Sequence, residues 1–525
     1  MKYLYLLLAL IIITAICISS LMWWQDRYPG YIEFYNIAYQ ASNAVGFLRC
    51  GGFTLTNFWA PDFTEGVPNT YFPFFQIIEL FMLERGAGIY FLTYWLTWLM
   101  LPLSFLIMLF FSVRLYGLRA GLYTISLVSL AFLWTDKHLT NPAQSVAMIL
   151  IMLVFLALVY KRYIAAFILS LCCMASHTLG LIIVPGILLY GIHQRRQRKS
   201  VFIMLGIILL LGAFLLGTIF IDNNLRVAMA VKFQALGANI FSRDLKGEII
   251  GSLRTMLDVK NQNHVFLGWL ALAGLVICYI RRGKFLILPS IFLAFFPIAW
   301  TGDKIRFWGM PAVTIFSLLG GVFLAQVHER LERINTINTI GVRLPYGSRT
   351  PIVKPGKILG LSFFIIVFIV SHYLFYHMSD IDIHLKTPTL VYLNRPSIWH
   401  HPRVFAMKEK KRIIELIKEN VAPDEFFYLH ASYYFNNYAA ANSRRSAFIP
   451  VGVDYKSQGI KLIVERFNAP SDEYSFLEKV NEEFDFSAYV LKDSTKPAKV
   501  KISKPLVTIK QLQIAFMVMG ALVLI

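Results

Sequence analysis

Acidic residues are scarce in this chain. Asp and Glu number 30 against 50 Lys and Arg in 525 residues, a net charge of +20, and charged residues of both signs make up only 15%. Cysteine is scarce too. Of five, Cys17, Cys172, Cys173 and Cys278 fall inside apolar runs and only Cys50 lies in a loop. That pattern excludes a disulfide framework and a cysteine metal site. There is no internal repeat, and HEAT-type, kinase, hydrolase and P-loop signatures are missing. The basic excess alone would suit nucleic acid. However, Lys and Arg concentrate in short loops between apolar runs, and no basic surface with interleaved aromatics stands apart, so nucleic acid is set aside as a partner.

What the chain has in abundance is apolar surface: 57% hydrophobic residues and a mean hydropathy of +0.59. Runs near the length of a bilayer crossing recur, which predicts a polytopic α-helical membrane protein of about 11–12 spans. The N-terminus holds one lysine and then an apolar run without a small-residue cleavage site, and reads as an uncleaved signal-anchor with Trp23 and Trp24 at the interface. Later spans are predicted near 89–113, 118–135, 143–160, 163–176, 178–193, 201–221, 265–280, 285–301, 307–326 and 358–377. Alternate loops contain Arg114 and Arg119; Lys161 and Arg162; Arg195, Arg196, Arg198 and Lys199; Arg281, Arg282 and Lys284; and then the basic stretch from His328 to Lys357. This positive-inside pattern puts the N-terminus in the cytoplasm of a cell (inner) membrane.

The extracytoplasmic side then receives a long first loop (23–88), WTDKHLTNP (134–142), the turn at His177, residues 222–264, TGDKIR (301–306) and residues 378–505. Three parts follow: a membrane domain over 1–377, a soluble extracytoplasmic α/β domain over 378–505, and a short apolar run over 506–525. That last run is either a complete final span or a helix that dips partway. Segment 225–241 is an interfacial helix or a plain linker helix. In the soluble part, 403–421 is an amphipathic helix, 425–430 a strand, 433–442 a helix, 446–451 a strand, 472–483 a helix and 486–491 a strand. It has no glycine-rich phosphate loop.

The first loop carries the chemistry. It is long, aromatic and proline-marked, and places Asp26, Glu33, Asp62 and Glu65 beside the bilayer, where carboxylates are costly. Glu33 opens EFYNIAYQASNAVGF directly after a Pro-Gly turn. A carboxylate held against an aromatic wall can act as general base toward an acceptor hydroxyl; the plainer reading is a solvated loop acid or a partner for Arg27. At the far end of the membrane part, KIRFWGMPAVTIFSLLGG (304–321) places Lys304 and Arg306 at a span entrance, where they bind phosphate or snorkel to headgroups. His177, in CCMASHTLG, contacts a ligand or caps a helix. Asp136 and His138 resemble half of a metal site, but no further pair completes it, so neither a metal nor another cofactor is indicated.

The first span, an acid followed by an aromatic pair, a glycine about a dozen positions on and then WAPDFTEGVPNTYFPFF resemble the first extracytoplasmic loop of type C integral-membrane glycosyltransferases. That class includes the protein O-mannosyltransferases and the aminoarabinose and arabinosyl transferases. KIRFWGMPAVTIFSLLGG is similar to the class's arginine-aromatic-proline entrance to a span. Many members have an Asp-Glu pair in the first loop. This chain has Ile32 and Glu33 there, with Asp26 seven residues earlier. The resemblance implies transfer of a sugar from a polyprenyl-phosphate donor to a glycan, lipid or protein acceptor among membrane lipids. It assigns catalysis to Glu33, with Asp26 as fallback. Arg306, Lys304 and His177 would hold the donor phosphate, and Asp136, His138 and Tyr71 would line the cavity. A flippase of lipid-linked sugars and a catalytically inactive scaffold of the same fold stay open, although the spans show neither inverted repeats nor many intramembrane charges.

Overall fold

The computed structural model describes residues 7–15, 17–18, 36–54, 56–57, 67–68, 73–128, 134, 138, 141–194, 197–221, 245–257, 267–300, 310–338, 359–367, 369–370, 407–429, 433–447, 460–465, 474–478, 486–492, 497, 499 and 504–524. Helix dominates. A helix at 7–15 (α1) is followed by α2 (Asn36–Cys50), α3 (Phe74–Glu84), α4 (Leu96–Tyr116) and α5 (Leu118–Val128). Then come α6 (Pro142–Val159), α7 (Tyr163–Met174), α8 (Ile183–His193), α9 (Arg198–Ile221), α10 (Leu245–Leu257), α11 (Leu267–Arg281) and α12 (Ile287–Trp300). The last five are α13 (Pro311–Asn338), a helix at 359–367 (α14), α15 (Met407–Asn420), α16 (Tyr433–Ser443) and α17 (Ile509–Leu524). Among the described residues, Phe91–Tyr116, Pro142–Val159 and Pro311–Arg333 are long and apolar enough to cross a membrane. Shorter apolar helices include Leu118–Val128, Tyr163–Met174, Leu179–His193, Leu267–Arg281, Gly283–Phe296 and Ile509–Leu524.

Local chemistry sets several boundaries. Asn141 caps α6 by accepting from the Gln144 amide, and Pro142 occupies the first helical position, where no N–H is needed. Gly117, at φ 98°, separates α4 from α5 in a conformation that a side chain would strain.

α13 is the central helix, packed on α5 and α11. The approach is close because glycine faces backbone. A Cβ on Gly274 would lie 2.1 Å from the Leu319 carbonyl oxygen, and one on Gly321 would lie 2.2 Å from Thr124 Oγ1 and 2.7 Å from the Ala120 carbonyl oxygen. Small residues are what let apolar helices meet in a bilayer. The two ends of α13 are tied differently. Near its start Thr314 accepts from the Trp134 indole N–H at 2.9 Å. Near its end Arg119 pairs with Glu332 at 2.6 Å, and the Tyr123 hydroxyl lies 2.8 Å from Nδ1 of the buried His328. Thr314 and Glu332 are about 27 Å apart along the helix at 1.5 Å per residue. Arg281 also donates to Gln326, and Gln194 to the Gly283 carbonyl, so basic loops gather at that second end. Trp134, from the second outer loop, adjoins the first.

Strands β1 (Gly52–Phe53), β2 (Thr56–Asn57) and β3 (Val67–Pro68) are followed by β4 (Phe426–Leu429), β5 (Ser446–Ala447), β6 (Leu462–Glu465), β7 (Tyr474–Glu478), β8 (Ser487–Leu491) and β9 (Val507–Thr508). Five form one sheet in the order β5-β4-β6-β8-β7, parallel at β5-β4 and β4-β6 and antiparallel beyond. α15 buries Ile413, Leu416 and Ile417. The helix expected over 472–483 is instead the strand β7 in its first part: Ser475 opposes Val490 and Phe476 opposes Tyr489. Cross-strand pairing there overrides the helical leaning of the following Glu and Lys. β6 was hidden in a short apolar run too brief to show a period. Segment 225–241 lies outside the described residues.

The first loop is joined to this sheet at one point and to the C-terminal segment at another. The C-terminal end of α2 places Cys50 in an apolar cluster with Phe426, Ile460, Ile463, Tyr489 and Leu491, and Arg49 donates to the Pro423 carbonyl. β1 pairs antiparallel with β9, after which α17 runs along α7 until Arg162 donates to the Leu524 carbonyl at 3.3 Å. α17 therefore passes from the first-loop end of the bundle to a basic loop, about 24 Å at 1.5 Å per residue.

The glycine contacts give a direct test. Gly274→Ala and Gly321→Ala should each cost roughly 1–3 kcal/mol of stability by forcing helices apart. Gly206→Ala, whose Cβ meets nothing within 4 Å, should be neutral or slightly stabilising. Thermal unfolding of the detergent-solubilised protein checks both.

Candidate active site

The first loop returns to the bundle through α3. The Phe74 amide donates to the Ala175 carbonyl at 2.9 Å, two residues before His177, so the loop ends on the His177 turn. That turn is tightly held. Ser176 Oγ donates to the Cys172 carbonyl at 2.6 Å, and a Cβ on Gly180 would lie 1.9 Å from the Cys173 carbonyl oxygen. His177 is buried, with extended backbone, and its Nδ1 accepts from the Leu179 amide at 3.1 Å. The imidazole thus caps the short helix Thr178–Ile182, and its proton resides on Nε2 when the ring is neutral.

His138 is positioned by a different route. Its Nδ1 donates to the Trp134 carbonyl at 2.8 Å, and the two rings lie 3.8 Å apart between centroids. Trp134 is itself fixed by Thr314 and by Phe105, whose ring lies 4.7 Å away. Thr314 stands four residues past Met310, at the start of the helix that follows Lys304 and Arg306. Through Trp134 the structure thereby ties His138 to the first turn of α13, within the 304–321 segment that the sequence singles out. Burial pushes the His138 imidazole down to about 3, so it is neutral at ordinary pH, with Nδ1 protonated and Nε2 an acceptor. α3 packs against α6, whose N-terminus follows His138, so the first loop and the second outer loop share one end of the bundle.

Glu33, Asp26, Tyr71, Asp136, Lys304 and Arg306 lie outside the described residues. The described elements that flank them are α2, which begins three residues past Glu33, and α3, three past Tyr71. Among the described residues no group of three or more His, Cys, Asp or Glu side chains gathers as a metal site would.

A group that sequence reasoning did not single out lies on those two helices. Gln40 and Asn43 stand one turn apart on α2, and Gln76 and Glu79 one turn apart on α3; all four are fully or almost fully buried. Neither side-chain atom of Gln40 or Asn43, and neither carboxylate oxygen of Glu79, meets a hydrogen-bond partner. One turn along α2, Phe47 closes the helix pair against Ile77 and Leu80. Burial holds the Glu79 carboxyl well above the ordinary carboxylate range, which favours its protonated form. Polar pairs at helical spacing inside otherwise apolar runs are the sequence signal that would have found them.

No protein-family model and no curated protein matches the chain. Its fold does match solved structures. The archaeal oligosaccharyltransferase AglB from Archaeoglobus fulgidus, in complex with an inhibitory peptide and a dolichol-phosphate, superposes with a TM-score of 0.52 at 10% identity, covering 94% of this chain and 75% of that one. The apo form of the Archaeoglobus fulgidus oligosaccharyltransferase gives 0.52 at 12% identity with the same coverage. ArnT from Cupriavidus metallidurans bound to undecaprenyl phosphate gives 0.47 at 12% identity, covering 92% of this chain and 98% of that one. The chain has the fold of the type C integral-membrane glycosyltransferases.

The two buried groups predict opposite pH effects. Glu79 binds a proton more tightly folded than unfolded, so its contribution to stability falls as pH rises above the unfolded value of about 4.3. Glu79→Gln should match wild type near pH 4 and gain on it by up to about 1.4 kcal/mol per pH unit above that. His138 holds its proton more weakly when folded, so stability is lost as pH falls from about 6.5 toward 3, by up to about 1.4 kcal/mol per unit, and His138→Gln should flatten that loss. Melting temperatures across pH 4–8 test both.

Proposed function

We propose that this protein transfers a sugar from a polyprenyl-phosphate donor to an acceptor on the extracytoplasmic face of the membrane. The observation that supports the reading most is the fold likeness to an oligosaccharyltransferase over 94% of the chain. That relative's complex with dolichol-phosphate suits a donor of the same lipid class. The donor enters laterally between helices, with its phosphate near Arg306 and Lys304. Arg306 offers a planar, bidentate guanidinium, and Lys304 a point charge. His177 and His138 add hydrogen-bonding nitrogens at the same end of the bundle, alongside Asp136 and Tyr71.

Glu33, with Asp26 as the fallback, takes the proton of the acceptor's hydroxyl. The acceptor oxygen bonds to the anomeric carbon as the bond from that carbon to the phosphate oxygen breaks, and the electron pair leaves with the lipid phosphate. One displacement inverts the anomeric configuration. Arg306 and Lys304 stabilise the charge that grows on the departing phosphate, and holding both substrates in a partly dry cavity supplies positioning.

Purified protein in nanodiscs, given a panel of radiolabelled polyprenyl-phosphate sugars, should release polyprenyl phosphate. Glu33→Gln should lower turnover by about 10²–10⁴-fold, the range for loss of a general base. Arg306→Ala should weaken donor binding and turnover together. Loss in Asp26→Asn with Glu33→Gln active would move the base to Asp26. Donor binding with no turnover for any sugar would favour a flippase or an inactive scaffold.

A further inference from the structure

Gln40, Asn43 and Glu79 pose a problem that packing does not solve. Buried amide and carboxyl groups are normally hydrogen-bonded, and a native structure leaves few without a partner. Here six side-chain atoms on two packed helices lack one among the described residues, and Gln76 adds a fourth buried polar side chain on the same pair. Burial favours the protonated form of Glu79, and the one cation on α2, Arg49, is engaged with Pro423 beyond the polar stretch. That leaves no free cation on α2 to draw a phosphate. Carboxamides and a carboxylic acid each combine donor and acceptor, which is the complement of a hydroxyl group.

The placement points to a particular source of hydroxyls. α2 leads away from Glu33, and α3 leads away from Tyr71 and is bonded at Ala175 beside the His177 turn. The polar stretch thus lies on the two helices that bracket the proposed chemistry. We propose that Gln40, Asn43 and Glu79 form a subsite that binds hydroxyl groups of the donor's sugar. It rests on the glycosyl-transfer reading above, and ordered water is the competing source of the same chemistry.

The test is binding rather than turnover. Affinities of full-length protein in nanodiscs are measured for undecaprenyl phosphate and for the same lipid phosphate bearing mannose, glucose or N-acetylglucosamine. Wild type should bind at least one sugar-bearing lipid about tenfold more tightly than the bare lipid, as two or three hydrogen bonds would give. Asn43→Leu and Gln40→Leu should lose that preference without changing affinity for the bare lipid. Glu79→Gln, which keeps donor and acceptor without charge, should retain it. If leucine disturbs the fold, seen as lost binding of the bare lipid, alanine at 40 and 43 supplies the same readout. Variants that keep the sugar preference and melt at higher temperature would show that the groups hold only water, overturning the subsite and leaving the transferase reading intact. Wild type that binds all the lipids equally would do the same. Wild type that binds none would overturn both.

Discussion

The backbone contact that Gly274 and Gly321 allow between α13 and its neighbours α11 and α5 fixes the rest of the bundle. Lipid gives apolar helices no hydrophobic reason to prefer one another, so close approach and a few buried hydrogen bonds must decide the arrangement. With α13 held, its first turns offer Thr314 to Trp134, and Trp134 in turn sets the His138 ring. Its far end offers Glu332 to Arg119. One helix thereby fixes the distance between the basic end of the bundle and the end that carries the candidate chemistry.

The first loop is built on a different constraint. It has no span of its own, so it is held at several separate points: Phe74 on Ala175, Arg49 on Pro423, and β1 on β9. The second and third come from residues more than 370 positions away in sequence. The C-terminal sheet thus holds the end of α2, since Cys50 sits in its apolar cluster.

What was legible in the sequence follows from what acts locally. Apolar length and loop charge report directly on bilayer crossing, which is why helices at 142–159 and 311–333 fall where hydropathy expected them. The span beginning near 143 and the His177 turn were visible for the same reason. Four carboxylates in the first loop drew the eye, whereas Glu79 did not, because a glutamate between apolar neighbours on a short helix reads as its solvent face. Only the packing of α2 on α3 makes it the buried one. The docking of α2 on the sheet, the strand β7 and the path of α17 along α7 depend on long-range partners that no local pattern announces.

Charge economy links these features to the proposed chemistry. A donor whose head is a lipid phosphate brings negative charge to the outer end of the bundle, and more develops as the phosphate leaves. An ionised carboxylate buried on the loop helices would oppose that charge at low dielectric. Glu79 avoids this in its protonated form, which burial favours, and His138 stays neutral beside the entrance of α13. Neutral groups supply hydrogen bonds without competing fields. In the proposed reaction the electrostatic work falls to Glu33 or Asp26 for the proton and to Arg306 with Lys304 for the phosphate. In that reading the base acts on the incoming acceptor oxygen and the cations on the departing phosphate oxygen, so the two charges serve opposite sides of the displacement.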